Sequence, residues 1–150
     1  MSRAIELSIG NVRSNQGGPF AAVVVKDGRI IAEGCNEVTS TNDPTAHAEV
    51  VAIRRACAVL GGFQLTGCDF YTTCEPCPMC LGAIYWARPD RVYFANTKQD
   101  AARVGFDDSL IYQEFALPLP KRKIPMIRLM AGQAIEAFRL WGQKPDKIRY

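Results

Sequence analysis

The sequence predicts an α/β fold with three layers, α-β-α, in which helices cover both faces of a mixed central sheet. One observation is a hairpin signal, Asp27-Gly28, between two runs rich in β-branched residues, which predicts an antiparallel pair of strands. Another is a helical segment between two later strand-like segments, which predicts a right-handed parallel crossover. The predicted elements follow the order α-β-β-α-β-α-β, an alternation that is typical of layered α/β proteins.

The first elements are a short helix and a β-hairpin. Apolar residues at helical spacing between positions 5 and 12 predict an amphipathic helix, which the segment Gln16-Gly17-Gly18-Pro19 ends. Residues 20–26 and 29–33 are predicted strands, because they are rich in β-branched side chains and flank the Asp-Gly turn.

The second helix follows a segment of capping residues. Asn42-Asp43-Pro44-Thr45 supplies N-cap residue types and a proline suited to a first helical position. Apolar residues then recur at helical spacing from Val50 to Leu60, and Gly61-Gly62 ends the run. These signals place His47 and Glu49 in the first helical turn.

The remaining elements complete the crossover and the C-terminal part. Residues 70–73 and 91–95 have strand composition, and Pro78 opens a helix that runs through Trp86. Beyond them, the pattern predicts a loop at 105–108, a last strand at 124–130 and a last helix at 134–141. No repeat or linker interrupts the chain, and 150 residues, 48% of them hydrophobic, suffice for a single domain, 1–150.

Charge and cysteine usage narrow the functional classes. The net charge of +3 is mild and the basic run Lys121-Arg122-Lys123 lacks interleaved aromatic residues, so nucleic acid is not an expected partner. No apolar run is long enough to cross a bilayer, and no signal-like segment is visible. Three of the six cysteines crowd into positions 74–80, which indicates metal chemistry in a reducing compartment. We therefore expect a soluble, cytoplasmic protein.

Cys77 and Cys80 lie three positions apart at a predicted helix start, where unpaired backbone N–H groups favour thiolates. Alone, this C-x-x-C pattern fits a thioredoxin-like redox pair almost as well as a metal site. His47 favours the metal, because it also lies at a predicted helix N-terminus, and one imidazole with two thiolates suits zinc. Three protein ligands leave one position open for water, as in catalytic zinc sites.

Each of these assignments has a simpler alternative. A lone histidine is more often a hydrogen-bonded core residue, and Glu49 in a first helical turn would also complement the helix dipole. Because residues two apart do not share a helix face, His47 and Glu49 cooperate only around a metal beyond the helix end. Cys74 could complete a closed structural site if it bends back from the end of its strand. The other cysteines are expected to fill the core: Cys35, Cys57 and Cys68.

Longer segments carry a resemblance to a known family. His-x-Glu followed by Pro-Cys-x-x-Cys is the signature of the zinc nucleobase deaminases. From about residue 17 to Tyr150 the chain further resembles the bacterial guanine deaminases of the cytidine-deaminase-like superfamily, whose three-layer fold is thereby implied. The segments that carry this resemblance are Gly-Gly-Pro-Phe at 17–20, Asn36, residues 42–49, residues 74–88, Gly-Phe-Asp-Asp at 105–108 and the final tyrosine.

The resemblance implies zinc-dependent hydrolysis of guanine to xanthine and ammonia. It assigns zinc binding to His47, Cys77 and Cys80, and proton transfer between water and purine to Glu49. It assigns purine contacts to six more residues: Asn36 and the Ala48 backbone as hydrogen-bond partners, Phe20 and Trp86 as walls, and Asp108 and Tyr150 as polar groups near the opposite edge. It also implies a homodimer in which the segment from about 125 to 150 crosses to the partner subunit.

Related activities share the zinc motif and stay open at this point. A tRNA wobble-adenosine deaminase needs an exposed site with a basic approach, which the mild charge and a covering C-terminal segment argue against. A guanosine, cytosine or aminotriazine deaminase also fits, because pocket shape and not the metal motif selects the base. A binding module with structural zinc is the non-enzymatic alternative.

Overall fold

The sheet predicted from the sequence is present in the computed structural model, which describes residues 1–150. Its strands are β1 (Ala21–Lys26), β2 (Arg29–Cys35), β3 (Cys68–Cys74) and β4 (Arg91–Asn96), in the spatial order β2-β1-β3-β4. Strand β1 pairs antiparallel with β2 and β3, whereas β3 and β4 are parallel. The predicted hairpin, crossover and mixed sheet are therefore confirmed.

The helices are α1 (Ser2–Arg13), α2 (Val38–Thr41), α3 (Ala48–Leu60), α4 (Pro78–Ala87), α5 (Lys98–Arg103), α6 (Ser109–Ala116) and α7 (Ala131–Gln143), with a 3₁₀ turn at Leu119–Lys121. No helix is both long enough and apolar enough to cross a bilayer.

Helices lie on both faces of the sheet. On one face, Val24 of β1 clusters with Ala52 of α3 and Ile84 of α4 in the buried core. On the other face, Glu33, which is paired with Val23, binds Arg3 of α1 at 2.7 Å. Because neighbouring residues of a strand point to opposite faces, α1 covers one side of the sheet and α3 with α4 the other. The three-layer arrangement is confirmed.

Gly34 lets α3 approach the sheet closely. A Cβ atom at this position of β2 would lie 2.4 Å from the carbonyl oxygen of Ala48 and 2.6 Å from the backbone nitrogen of Ala52. Both neighbours are backbone atoms and cannot move aside cheaply, so the contact requires glycine. It fixes the first turn of α3, which carries Glu49, against the strands.

Several boundaries differ from the prediction. The segment 42–45 does not cap α3; it forms a turn in which the Asp43 carboxylate accepts the Thr45 N–H at 2.8 Å, and α3 begins at Ala48. The helices α2, α5 and α6 were not predicted. The strand predicted at 124–130 is wrong, since these residues are irregular and Pro125 offers no N–H to a neighbouring strand.

The chain divides into two compact units, Met1–Ser109 and Leu110–Tyr150. The first unit holds the sheet and α1 to α5. The second contains most of α6, the 3₁₀ turn and α7, and no residue in it is buried. A segment of this length without buried residues lacks a hydrophobic core of its own. Because the chain divides into two compact units, the single domain 1–150 stays a prediction.

Candidate metal and catalytic site

The N-termini of two helices meet on one side of the sheet. His47 is the N-cap residue of α3 and Cys77 the N-cap residue of α4, both with extended backbone conformations. Neither side chain accepts a capping hydrogen bond, so both are free to point beyond their helix ends. Cys80 follows in the first turn of α4, where Pro78 occupies a position that needs no backbone donor.

The distances among these three side chains suit a zinc ion. His47 Nδ1 lies 3.6 Å from Cys77 Sγ and 3.5 Å from Cys80 Sγ. The three possible ligand atoms lie within 4.8 Å of one another. Tetrahedral zinc, with typical Zn–S and Zn–N bonds, separates a nitrogen and a sulfur ligand by about 3.6 Å. The donor set and its spacing therefore fit zinc without rearrangement.

Hydrogen bonds within the cluster distribute charge unevenly. The pKa of Cys77 falls to about 4, first because the Cys80 thiol donates to it and further because His47 lies beside it. The pKa of Cys80 is raised, chiefly because it makes that hydrogen bond and is buried. The pKa of His47 is raised by its hydrogen bond to Cys77. Cys77 is thus a thiolate at neutral pH, the form that binds metals.

Cys74 does not belong to the cluster. Its thiol donates to the carbonyl oxygen of Thr97 at 3.5 Å, and burial raises its pKa to about 11. It is absent from the group of side chains whose ligand atoms converge. The closed site with three cysteines that the sequence left open is therefore not formed.

Glu49 lies beside the cluster and is only 5% exposed. Its Oε1 accepts a hydrogen bond from the Thr72 hydroxyl of β3 at 3.1 Å, and its carboxyl group interacts with the Cys80 side chain. Burial raises the pKa of this carboxyl group. A raised pKa favours acid-base catalysis, because it brings a carboxyl group closer to the pH at which the reaction runs. Sequence reasoning did not find Thr72, because a threonine in a strand carries no distinguishing signal.

The side-chain oxygen of Asn36 is hydrogen-bonded within the protein, and its NH₂ group is left as a donor. Its Oδ1 accepts the N–H groups of Gly18 at 3.3 Å and Val38 at 3.4 Å, and its backbone N–H donates to the backbone carbonyl of Phe20 at 3.0 Å. Asn11 of α1 donates to the Asn36 carbonyl oxygen at 3.0 Å. The two bonds to Oδ1 hold the buried side chain by its oxygen and leave its NH₂ group as a donor, while the other two bonds fix the Asn36 backbone.

Phe20 stands at the wall of a cavity in the first unit. Its ring meets the Phe106 ring edge to face, with centroids 4.9 Å apart. The cavity has a volume of about 270 Å³ and is lined by Pro19, Phe20, Cys74, Asn96, Asp100, Ala101 and Val104. The loop containing Phe106 thus supports the aromatic side chain for which the sequence predicts purine contact.

Asp107 and Asp108 have different environments. Asp107 is exposed and accepts the Ser109 N–H at 2.9 Å, which lowers its pKa. Asp108 is half-buried, and its pKa is raised by burial and, to a smaller extent, by the negative charge of Cys77. Asp107 thus binds the backbone at the start of α6, and Asp108 lies within electrostatic reach of Cys77.

Three further residues for which purine contact is predicted lie in different parts of the structure: Ala48, Trp86 and Tyr150. The Ala48 N–H is at the first position of α3, where a helix has no internal acceptor for it. Trp86 is 63% exposed on α4. Tyr150 lies in the second unit and is 68% exposed. Purine contact by these three residues stays a prediction.

Residues 1–96 match the cytidine and deoxycytidylate deaminase zinc-binding region. This match spans the sheet and both helix ends that carry the cluster, and the ligand spacing described above is the one that such a zinc site requires. The chain belongs to the cytidine and deoxycytidylate deaminase family of zinc-dependent aminohydrolases.

Within this family the chain is similar over its full length to a guanine deaminase. It is 54% identical over 150 residues to guanine deaminase of Bacillus subtilis, covering 100% of this chain and 96% of that protein. The X-ray structure of that enzyme matches with a TM-score of 0.96 over 99% of this chain and 95% of the other. The similarity includes α1 and so extends further than the segment from residue 17 predicted from the sequence.

A tRNA-specific adenosine deaminase of Agrobacterium fabrum is 51% identical over 76 residues, which are 51% of this chain and 50% of that protein. The zinc-binding half is therefore shared with a tRNA enzyme. The similarity to the Bacillus protein also includes the C-terminal half.

Proposed function

We propose that this chain hydrolyses guanine to xanthine and ammonia. The observation that carries the proposal is a buried carboxylate, Glu49, beside a cluster of three zinc-ligating side chains in a chain similar throughout to a guanine deaminase. His47, Cys77 and Cys80 would hold the zinc. Because Cys74 is bonded elsewhere, the set stops at three protein ligands, as in catalytic zinc sites.

When bound, zinc supplies Lewis acidity, which lowers the pKa of water in its coordination sphere from about 15.7 towards 7. Glu49 accepts a proton from the attacking water and delivers it to N3 of the purine as the new C2–O bond forms. It then carries the second water proton to the exocyclic nitrogen as the C2–N bond breaks. The products are xanthine and ammonia, and Glu49 returns to its starting state.

The purine is held by donors and acceptors from the first unit. The NH₂ group of Asn36 and the N–H of Ala48 can both donate to acceptor atoms of the ring, while Phe20 offers an aromatic wall. Asp108, whose half-buried carboxyl group is within electrostatic reach of Cys77, adds a further polar group. Buried polar groups of this kind favour a base that pairs with all of them and reject one that leaves some unpaired.

Guanine is expected to be the preferred substrate by orders of magnitude over adenine. The polar groups described above match a purine with a lactam edge, and adenine would leave some of them without partners. Ammonia release is measured with zinc-loaded protein on guanine, guanosine, adenine, cytosine, an aminotriazine and a tRNA anticodon stem-loop.

Two outcomes of that series would contradict the proposal. Faster deamination of the anticodon adenosine than of guanine would assign the chain to the tRNA enzymes. Absence of ammonia release from all substrates, in protein that holds one zinc ion per chain, would favour the structural alternative.

We also propose a homodimer in which the segment from about 125 to 150 crosses to the partner subunit, and that the protein acts in the cytoplasm. The six free cysteines are compatible with that compartment. Support for the exchange comes from the second unit, where nothing is buried although many side chains are apolar, including Ile124, Ile127, Leu129, Phe138 and Leu140. Exchange of an identical element buries such surface on a second copy.

If Tyr150 acts across the dimer, its loss should depress catalysis, and the Tyr150→Ala and Glu49→Gln variants should complement each other. Glu49→Gln chains and Tyr150→Ala chains are refolded together at equal concentration. In a mixed dimer one site combines an intact Glu49 with Tyr150 from the other chain. Because random pairing makes half of the dimers mixed, recovery of roughly a quarter of wild-type activity is expected.

The Tyr150→Ala protein alone serves as a control and should keep its zinc and its melting temperature, because it loses one exposed side chain. Native mass spectrometry counts the mixed dimers. If they form and the activity does not exceed that of the parents, Tyr150 does not act across the dimer.

A further inference from the structure

Thr72 is the one hydroxyl group in the structure that binds the carboxyl group of Glu49. The side chain is 1% exposed, and its hydroxyl donates to Oε1 at 3.1 Å. Glu49 is itself buried, so little water is available to replace this partner. A buried carboxylate depends on the few donors that the protein provides, because their loss is not compensated by solvent.

The position of Thr72 is rigidly defined. Strand β3 is flanked on both sides, and Thr72 is paired with Ala22 of β1 and Phe94 of β4. It lies two residues after Phe70, so both side chains point to the face that α3 covers. A β-branched side chain in a central strand has few rotamers, which fixes the direction of its hydroxyl group. The donor is therefore preorganised toward Glu49.

We propose that Thr72 is a positioning residue for the deamination reaction, holding Oε1 of Glu49 so that Oε2 carries the protons. The inference rests on the proposed function of Glu49. A carboxyl group that serves first as base and then as acid must keep one orientation through both steps. A glutamate side chain rotates about three bonds. The carboxyl group also interacts with Cys80, which would be a zinc ligand and as a thiolate cannot donate, so the Thr72 hydroxyl is the side-chain donor that can hold one carboxyl oxygen through both steps.

Thr72→Val removes the hydroxyl group and keeps the shape of the side chain. We expect kcat to fall about 10- to 100-fold with little change in KM, because orientation of the proton carrier is lost and purine contacts remain. Thr72→Ser should recover most of kcat. In a Glu49→Gln background, Thr72→Val should cost less than about twofold, because the group that it positions no longer transfers protons.

The matched control is Thr73→Val. Thr73 is the next residue of β3 and equally buried, but its hydroxyl oxygen accepts the Ala21 N–H at 3.0 Å and does not touch Glu49. This variant should lower the melting temperature, since a buried backbone donor loses its partner, while kcat below the unfolding transition stays near that of the wild type.

Melting temperature and zinc content are measured for every variant, and the series uses the base that the wild-type protein deaminates fastest. Failure of guanine as the substrate would thus overturn the proposed function and leave the test of Thr72 intact. Equal kcat values for wild type and Thr72→Val, or a full additive loss in the Glu49→Gln background, would overturn the role of Thr72.

Discussion

Replacement of Glu49 by glutamine is expected to lower kcat by roughly 10²–10⁴-fold, the contribution typical of a positioned proton carrier. The amide has the size of the carboxyl group and its oxygen can still accept the Thr72 hydrogen bond, so the fold should persist. It cannot accept a proton from water at neutral pH. Zinc content should stay at one ion per chain, because Glu49 is not among the three converging ligands.

Glu33→Gln is the matched control for this experiment. It makes the same chemical change on β2, where Glu33 forms a partly exposed ion pair with Arg3 at 2.7 Å. Surface pairs contribute at most about 1 kcal/mol, so this variant should keep both its fold and its activity. Turnover by Glu49→Gln within a few-fold of wild type would refute the catalytic role.

Cys80→Ala is expected to lose both zinc and activity. Cys80 is fully buried and supplies one of three converging ligand atoms, so its removal leaves His47 and Cys77 as the only protein ligands. Two ligands do not define a stable tetrahedral zinc site. Metal analysis after dialysis should give about one zinc per chain for the wild type and close to none for the variant.

Cys74→Ala provides the discriminating control. Its thiol binds the Thr97 carbonyl and not the cluster, so zinc should be retained in full and the variant should lose only a modest amount of stability. Loss of zinc from Cys74→Ala would restore the closed structural site. Full retention of zinc by Cys80→Ala would show that the ligand set is wrong.

The parts of the fold that the sequence predicts well depend on short-range signals. Asp27-Gly28 defines the β1–β2 hairpin within a few residues, and Pro78 marks the start of α4. The zinc cluster could be predicted from the sequence for a different reason. Imidazole and thiolate side chains at two helix starts have few other uses in combination, so residue types alone indicate the chemistry.

The start of α3 could not be predicted from the sequence in the same way. Asn42-Asp43-Pro44-Thr45 has the composition of a helix cap, yet the Asp43 carboxylate binds Thr45 and forms a turn. The helix begins only after His47, which acts as N-cap without a capping hydrogen bond because its ring faces the two cysteines. Here a tertiary contact overrides a local preference, and a local pattern cannot reveal it.

The C-terminal segment shows a second case in which a local sequence pattern does not determine the structure. Residues 124–130 contain the apolar and branched side chains of a strand but form none. A strand requires a partner as well as a composition, and Pro125 removes one donor. Whether a second copy supplies the partner depends on assembly, which the sequence of one chain does not encode in any short pattern.

Asp107 and Asp108 show that adjacent identical residues are distinguished only by their contacts and burial in the structure. The Asp107 carboxylate accepts the Ser109 N–H at the start of α6, whereas Asp108 is half-buried and within electrostatic reach of Cys77. Thr72 is a similar case, since only the distance to Glu49 distinguishes it from Thr73.

The central claim is an open zinc site with three protein ligands, and X-ray absorption at the zinc edge of the purified protein tests it most directly. We predict two sulfur neighbours at about 2.3 Å and two nitrogen or oxygen neighbours at about 2.0–2.1 Å, which is the environment of His47, Cys77, Cys80 and one position left for solvent. Three sulfur neighbours and one nitrogen would contradict it, because that environment describes a closed structural site.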